Sequence, residues 1–310
     1  MIIRSLLLLL PMSIWAGLII SKRLSSREIT ASFLGTVWVF HVTLMINIIV
    51  LNLGSWSILV NDSLFYGVPM DWIISQSIVA GALIPFTRSL NWSIGVRLFL
   101  QSLFIVMMYY FGDVILLGDY AEWSVLSIIV LSSFPALFLS DWTANDSYIY
   151  GRSFLQSLSW GFLLFWMFPS TVFYLTSDSW ASFLDRGIIA NSFYLLPLLI
   201  PIFLIASALY QFAVEGDGTG FPYDAPKRLV TGGIYSYISN PMQLGICLGM
   251  SWWGIVVDSV FVFVSALVAL CLFVVFKDVC DGSCAIGRDS AEWKKYQRIT
   301  PKWWPRLFVK

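Results

Sequence analysis

Residues 195–214 read LLPLLIPIFLIASALYQFAV and contain no charged side chain. An α-helix rises about 1.5 Å per residue, so a helix of this length crosses the roughly 30 Å hydrocarbon core of a bilayer. The run is apolar on every face and does not alternate polar with apolar positions, which predicts a transmembrane helix and not a barrel strand. Similar runs recur along the chain, so the predicted fold class is an all-α, polytopic bundle of transmembrane helices.

The composition also indicates a protein embedded in lipid. Of the 310 residues, 58% are hydrophobic and 12% are charged, and the mean hydropathy is +0.81, whereas a soluble domain carries about 25% charged residues. The formal net charge is +0, so we expect no nucleic-acid partner. Cys280 and Cys284 have no second Cys or His pair beside them, so we expect no metal site. We predict a multi-pass integral membrane protein, in a bacterial inner membrane or a eukaryotic endoplasmic reticulum.

The apolar segments predict nine spans. If the helices alternate in direction, every Lys and Arg except Arg4 and Arg186 falls on one side, which the positive-inside bias assigns to the cytoplasm. The N-terminus is then outside, and the C-terminus is cytoplasmic, as is the loop 214–237. The predicted spans are residues 5–21, 31–53, 66–87, 93–112, 123–140, 154–175, 188–212, 241–257 and 259–276.

The chain changes in character near Val214. Before it, helices are joined by short loops, and Asp141 and Asp146 in one of these loops are predicted to be solvated. After it come a loop rich in Gly, Pro and Asp, two helices joined by a tight turn at Asp258, and a basic tail rich in Trp. We therefore predict two regions, residues 1–187, of unknown role, and residues 188–310, which carry the chemistry.

The most specific pattern lies in residues 227–245, KRLVTGGIYSYISNPMQLG. Asn240 is a good N-cap and Pro241 is tolerated in a first helical turn, so a helix begins here. The amides and the positive dipole end of its N-terminus offer a place for a carboxylate. Tyr235 and Tyr237 offer aromatic rings and hydroxyls for a ligand.

The glycines ahead of this pattern carry a different prediction. Residues 215–220 read EGDGTG and superficially resemble a glycine-rich nucleotide loop. Such a loop follows a strand and opens a helix, whereas this one follows a predicted transmembrane helix and runs into Pro222 and Pro226. We expect a flexible exit from the membrane.

Residues 227–245 resemble the hallmark of the isoprenylcysteine carboxyl methyltransferase and phospholipid methyltransferase superfamily, which is close to L-V-x-x-G-P-Y-x-Y-V-R-[H/N]-P-M-Y-L-G. The chain departs from it at Ser239, where the family often has Arg, and at Gln243, where it has Tyr, which affects the expected substrate contacts. The approach to this stretch is similar to the G-T-x-x-P-x-D-x-P of many bacterial members, through Gly218, Thr219, Pro222, Asp224 and Pro226.

The resemblance implies a membrane-embedded methyltransferase that uses S-adenosyl-L-methionine. The tail is similar to the family's ending, E-E-P-x-L-x-x-x-F-G-x-E-Y-x-x-Y-x-x-x-V-P-R-W-x-P-R, and depending on the alignment its acidic cofactor ligand is Asp278 or Asp281. Asp278 is favoured because it follows the last apolar run directly. The other implied cofactor contacts are Gly233, Tyr235, Tyr237, Asn240, Pro241, Met242, Gln243, Leu244 and Gly245.

The predicted reaction moves a methyl group to a lipophilic or lipid-linked acceptor, such as a prenylated carboxylate or a phospholipid amine. Methyl transfer is an in-line displacement that depends mainly on alignment, so no metal is needed and the resemblance names no catalytic side chain. Membrane lipids are the other expected partners. The alternatives are a sterol-type membrane reductase that uses NADPH and shares a related C-terminal motif, and a catalytically degenerate membrane protein.

Overall fold

The computed structural model describes residues 2–21, 23–60, 64–111, 114–221, 224–275 and 291–306. It is mostly helical, as predicted. The helices are α1 (Ile2–Ile20), α2 (Ser26–Asn52), α3 (Met70–Leu90), α4 (Ile94–Phe111), α5 (Ala121–Ala144), α6 (Ile149–Leu175), α7 (Ala181–Leu184), α8 (Ile188–Val214), α9 (Pro241–Val256), α10 (Val260–Val275) and α11 (Ala291–Ile299).

Each of the nine predicted spans coincides with one of these helices. Within the described residues six helices, α2 to α6 and α8, are long and apolar enough to cross a membrane. Of the other three, α9 and α10 have 16 residues each, and α1 has 19 residues with Pro11 inside the helix. The multi-pass helical architecture is therefore confirmed, while the number nine and the direction of the termini stay predictions.

Prolines shape three of the long helices. Each of α3, α5 and α6 contains a π-helical turn that ends two residues before Pro85, Pro135 or Pro169. A proline has no N–H to donate, and its ring meets the carbonyl of residue i−4. The wider turn relieves this conflict while the helix continues.

The described contacts divide the chain into two compact units, Met1–Ser159 and Trp160–Lys310. This division concerns packing alone, and the predicted boundary of the catalytic region at residue 188 stays a prediction. In the first unit, short strands add two antiparallel pairs outside the helices, β1 (Trp56–Ile58) with β4 (Ile115–Leu117) and β2 (Leu64–Phe65) with β3 (Val68–Pro69).

Helix α2 forms the centre of the first unit, and glycines let its neighbour approach closely. A Cβ on Gly81 of α3 would lie 2.5 Å from the carbonyl oxygen of Gly35. Small residues at such crossings are typical of membrane helices, where close backbone contact replaces the hydrophobic effect. Polar side chains also join the helices, for example Thr43 of α2 and Ser132 of α5 with 2.8 Å between their hydroxyl oxygens.

Two buried arginines correct one prediction from the sequence. Arg97 is 4% exposed and donates from both terminal nitrogens to the carboxylate of Asp141 at 2.6 Å. Arg152 is 1% exposed and donates to Asp146 at 3.0 Å. The two aspartates are therefore partners of buried cations and are not simply solvated. A buried arginine without such a partner would cost far more free energy than a paired one.

In the second unit, α9 and α10 form a hairpin that packs on α8 and on the end of α6. The predicted turn is confirmed, since Asp258 has a left-handed φ of 56° between the two helices. A Cβ on Gly254 would lie 2.5 Å from the backbone nitrogen of Phe263, so the hairpin closes tightly next to this turn. The apolar core of this end contains Phe173, Met250, Val257, Val262 and Ala266.

Candidate cofactor site

The glycine-rich segment after α8 is a compact turn. The backbone nitrogen and the hydroxyl of Thr219 both donate to the carbonyl of Asp224, at 2.9 and 3.0 Å, and Thr219 is fully buried. A Cβ on Gly218 would overlap the backbone of Pro226. Glycine is required here for close approach of two chain segments. The segment is therefore a hydrogen-bonded, closely packed turn, while its place at the exit from the membrane stays a prediction.

A carboxylate at the end of α8 holds the next turn of the chain. Glu215 accepts a hydrogen bond from the backbone nitrogen of Gly232 at 3.2 Å and a second one from the side-chain amide of Gln211. Gly233 follows with a φ of 53°, a left-handed conformation that favours glycine. A Cβ on Gly232 would overlap the Glu215 carboxylate. The two glycines thus let the turn close directly over the helix end.

The two predicted tyrosines occupy different environments. Tyr235 is 5% exposed, and its ring stacks on Phe212 of α8 with centroids 4.9 Å apart. Tyr237 is 40% exposed. Both lie in or directly after the single 3-10 turn Gly233–Ser236, which leads to α9. Of the two rings, Tyr237 has the open surface that stacking on an adenine requires, and Tyr235 belongs to the packing.

Helix α9 begins at Pro241, as the sequence predicts. Asn240 occupies the predicted N-cap position with φ −127° and ψ 53°, but its side chain makes no capping hydrogen bond. Met242 and Gln243 lie in the first turn, where backbone N–H groups have no acceptor inside the helix. Because the side chain of Asn240 does not cap them, these donors and the positive end of the helix dipole are left for a ligand.

The first turns of α9 also carry packing residues. A Cβ on Gly220 would lie 2.9 Å from the sulfur of Met242, so this side chain covers the compact turn. Gly245 is buried against α8, and a Cβ there would lie 2.8 Å from Ile205. Leu244 is half-buried, and its backbone nitrogen donates to Asn240. Met242 and Gly245 therefore hold the helix start in place.

The basic tail folds back onto the turn before α9. Tyr296 of α11 is 6% exposed and donates its hydroxyl to the carbonyl of Tyr235 at 2.7 Å. Burial raises the pKa of Tyr296, although the nearby Arg306 guanidinium opposes this effect. The hydroxyl is therefore a stable donor at neutral pH. Beside it, the Trp293 ring lies 5.7 Å from the Tyr296 ring.

The end of the tail adds further hydrogen bonds to the same turn. Arg306 donates from its Nε atom to the carbonyl of Ser236 at 2.7 Å and from its backbone nitrogen to the carbonyl of Tyr237 at 3.1 Å. The backbone nitrogen of Ser239 donates to the carbonyl of Pro301 at 2.9 Å. The resemblance names two motif segments that are far apart along the chain. These hydrogen bonds join them into one structure, so both segments lie on the same side of any membrane that the helices cross.

Two of the predicted cofactor residues cannot be located. Asp278 and Asp281 lie in residues 276–290, outside the described residues. Both positions fall between the end of α10 and the start of α11. The choice between them stays a prediction.

An apolar cleft lies in the same unit, between the end of α6 and the α9–α10 hairpin. It has about 580 Å³ of free volume and is lined almost entirely by apolar side chains. Its lining runs along α10 from Phe261 to Leu272, which is about 16 Å at the rise of a helix. On α9 it begins at Ile246, about 8 Å along the axis from Pro241. One end of the cleft therefore approaches the first turns of α9.

Sequence reasoning missed the residues that hold the site together. Gln211 and Glu215 stand four apart at the end of α8, a spacing that brings two side chains together on a helix and is visible in the sequence. The hydrogen bond between Glu215 and the backbone nitrogen of Gly232 across the turn is not visible there. The stacking of Phe212 on Tyr235 had no signal of its own, because an aromatic residue in an apolar helix is ordinary.

Comparison with known protein families gives one match. Residues 192–280 match the phospholipid methyltransferase family model. No curated protein and no solved structure matches the chain. The matched range contains the compact turn, the 3-10 turn and the start of α9. The resemblance seen in the motif is therefore confirmed, and residues 192–280 belong to the superfamily of membrane methyltransferases that includes the isoprenylcysteine carboxyl and phospholipid methyltransferases.

Proposed function

We propose that this protein transfers a methyl group from S-adenosylmethionine to a lipophilic acceptor dissolved in the membrane. The observation that carries the proposal is the docking of the tail, through Tyr296 and Arg306, on the turn that leads into α9. The two segments that resemble the family's cofactor-binding motifs form a single structure in this way. It lies at the end of α8, a helix long and apolar enough to cross the membrane.

The described residues offer partners for the carboxylate and the adenine of S-adenosylmethionine. The amides of Met242 and Gln243, at the positive end of α9, suit the carboxylate of the methionyl group. Tyr237 is 40% exposed, and its ring suits the adenine. In the part of the chain that the structure describes, no group of His, Cys, Asp and Glu could hold a metal ion. The helix-end amides and the exposed tyrosine suit an organic cofactor that carries a carboxylate and an aromatic base.

The chemistry that the cofactor supplies is an activated methyl group on a sulfonium. The contribution of the chain is to hold donor and acceptor in line and to keep water out, which is worth several kcal/mol of a barrier. Glu215 serves this purpose indirectly, because its bond to Gly232 holds the turn that carries Tyr237. The docked tail covers the same turn. No side chain has to form a covalent bond.

The apolar cleft supports the lipophilic acceptor. Pockets for small molecules have volumes of about 300 to 1,000 Å³, and this cleft has about 580 Å³. The polar side chains in its lining are limited to Thr176, Cys247 and Ser265, so only a hydrocarbon chain matches it along its length. An acceptor with its chain in the cleft would present its polar head toward the first turns of α9.

The distribution of Lys and Arg supports a nine-span topology with an outside N-terminus and a cytoplasmic site. The membrane would then be a bacterial inner membrane or the endoplasmic reticulum. A cytoplasmic site would face the compartment in which S-adenosylmethionine is made available, and the acceptor would arrive through the bilayer.

Calorimetric titration of the purified protein with S-adenosylmethionine and, separately, with NADPH tests the cofactor. We expect binding of the first and none of the second, and the reverse result would favour the sterol-type reductase. In a second arm, Tyr237→Ala should weaken S-adenosylmethionine binding about 5- to 150-fold, the range for loss of one base–aromatic stack. Tyr210→Ala, which changes a 61% exposed ring on α8, is the matched control and should bind normally.

Transfer of a labelled methyl group from S-adenosylmethionine to an extract of membrane lipids tests the acceptor. We expect the label in the organic phase. Label that stays in water-soluble products would refute a lipophilic acceptor. Absence of transfer, despite cofactor binding, to lipids from several sources would favour a degenerate member.

A further inference from the structure

The tail has two chemically different faces. Trp293 and Tyr296 of α11 face the rest of the protein, and so does Thr300, directly after the helix. Trp293 is half-buried, and Tyr296 and Thr300 are buried. These positions are three and four residues apart, the spacing of one helix face. The other face is turned away from the protein.

The outward face is strongly basic. Lys294, Lys295, Arg298 and Lys302 are all exposed. Residues 291–306 contain a fifth cation, Arg306, and a single acidic residue, Glu292. The chain as a whole has a formal net charge of +0, so this concentration of cations is local to the tail.

Large apolar side chains stand among these cations. Ile299 is 56% exposed and Trp304 is 83% exposed. In water such groups gain nothing from exposure, whereas Trp is enriched at the headgroup level of membranes, where its ring is apolar and its N–H is polar. Cations beside exposed apolar groups are the pattern of a surface that lies on a bilayer.

The tail docks close to the end of a candidate membrane-crossing helix. The tail is hydrogen-bonded to residues 235–239, directly before α9. Tyr235 in turn stacks on Phe212, two residues before the end of α8, which is a candidate membrane-crossing helix. Where α8 crosses a bilayer, the tail beside its end would be at the depth of the lipid headgroups.

We propose that the outward face of residues 291–306, namely Lys294, Lys295, Arg298, Ile299, Lys302 and Trp304, binds the anionic headgroups of the surrounding bilayer. The observation that selects anionic lipid is the charge, since four exposed cations are attracted to a surface with net negative charge and not to one whose net charge is zero. Each Lys or Arg close to an anionic membrane surface strengthens association about fivefold. The binding itself stands whether or not the protein is a methyltransferase.

The same contact couples the lipid to the candidate site. Tyr296 and Arg306 connect the tail to the carbonyls of Tyr235 and Ser236, so a tail held down by lipid keeps the turn before α9 covered. Anionic lipid then stabilises the covered form of the site. This coupling between lipid and site rests on the proposed function only if it is measured as methyltransferase activity.

Lysine acetylation in nanodiscs, measured by mass spectrometry, tests the lipid contact without any activity assay. Nanodiscs of phosphatidylcholine alone are compared with nanodiscs in which about a third of the lipid is phosphatidylglycerol. We expect the acetylation rates of Lys294, Lys295 and Lys302, relative to that of Lys227, to fall about fivefold or more in the anionic nanodiscs. Lys227 is exposed in the same unit and paired with Asp217, so it reports effects common to all lysines.

The variant Arg298→Glu with Trp304→Ser should remove this lipid dependence, and the fold should survive because both side chains are exposed. Arg228→Glu changes an exposed cation of the same unit outside the tail and should keep the dependence. High salt should reduce the effect, because it screens exposed charges. Equal rates in the two nanodiscs would overturn the proposal. Protection that is absent in both nanodiscs but present in native membranes would assign the face to a protein partner and would also overturn it.

Discussion

The hydrogen bond between Tyr296 and Tyr235 gives the sharpest test of the site. Tyr296→Phe removes one hydroxyl and keeps the ring that packs beside Trp293. The carbonyl of Tyr235 then loses its 2.7 Å donor in a place where both residues are about 5% exposed. Leaving a buried acceptor without a partner costs about 1 to 3 kcal/mol. The equilibrium between docked and undocked tail should therefore shift about 5- to 150-fold toward the undocked form.

Hydrogen exchange of the backbone amides in residues 291–306 measures this shift directly, because exchange proceeds from the undocked form. We expect exchange to speed up in Tyr296→Phe by the same factor and cofactor affinity to fall with it. Tyr210→Phe on α8, where the ring is 61% exposed, is the control and should exchange as the unaltered protein does. Identical exchange in all three proteins would show that the tail is not held by this bond.

The same bond has a defined pH dependence. Burial raises the pKa of Tyr296 above the ordinary value of about 10. A group whose pKa is raised on folding contributes stability that is complete below the unfolded pKa and is lost as the pH rises through the folded pKa. Once corrected for the intrinsic pH dependence of amide exchange, the exchange rate of the tail should therefore be constant between pH 6 and pH 9. Docking of the tail should weaken only above about pH 10.

Three other predictions concern the hairpin, the acidic ligand and the topology. Gly254→Ala should overpack the hairpin, which costs about 1 to 3 kcal/mol of stability and lowers the thermal midpoint. Gly161→Ala, at a helical site with open space around it, should instead stabilise the protein by up to about 1 kcal/mol. A change of the same sign in both variants would contradict the packing described for the hairpin. Asp278→Ala should weaken S-adenosylmethionine binding by about 1.5 to 3 kcal/mol, and a loss seen only in Asp281→Ala would reverse the assignment. A cysteine in place of Arg228, which is exposed, should react with an impermeant reagent only after cells are opened, and labelling of intact cells would refute the cytoplasmic site.

The sequence determined the elements of this protein. Nine predominantly apolar runs predicted nine helices at the places where helices occur, because a backbone in lipid must satisfy its hydrogen bonds within one segment. Pro241 predicted the start of α9, and Asp258 predicted the turn of the hairpin, because both residues act on the local backbone. The motif in residues 227–245 predicted the family, since its fixed spacings are read directly from the chain.

Only the tertiary structure decided which residues meet. Asp141 was expected to be solvated and is the partner of Arg97, which stands 44 residues away. Tyr235 was expected to offer its ring to a ligand and packs that ring on Phe212, while its carbonyl receives the hydroxyl of Tyr296, 61 residues away. Local patterns act through neighbours along the chain, whereas these contacts depend on how separate helices cross and how the tail returns. The spacing of residues along the sequence does not predict which of these side chains come into contact, so the shape of the site depends on tertiary packing.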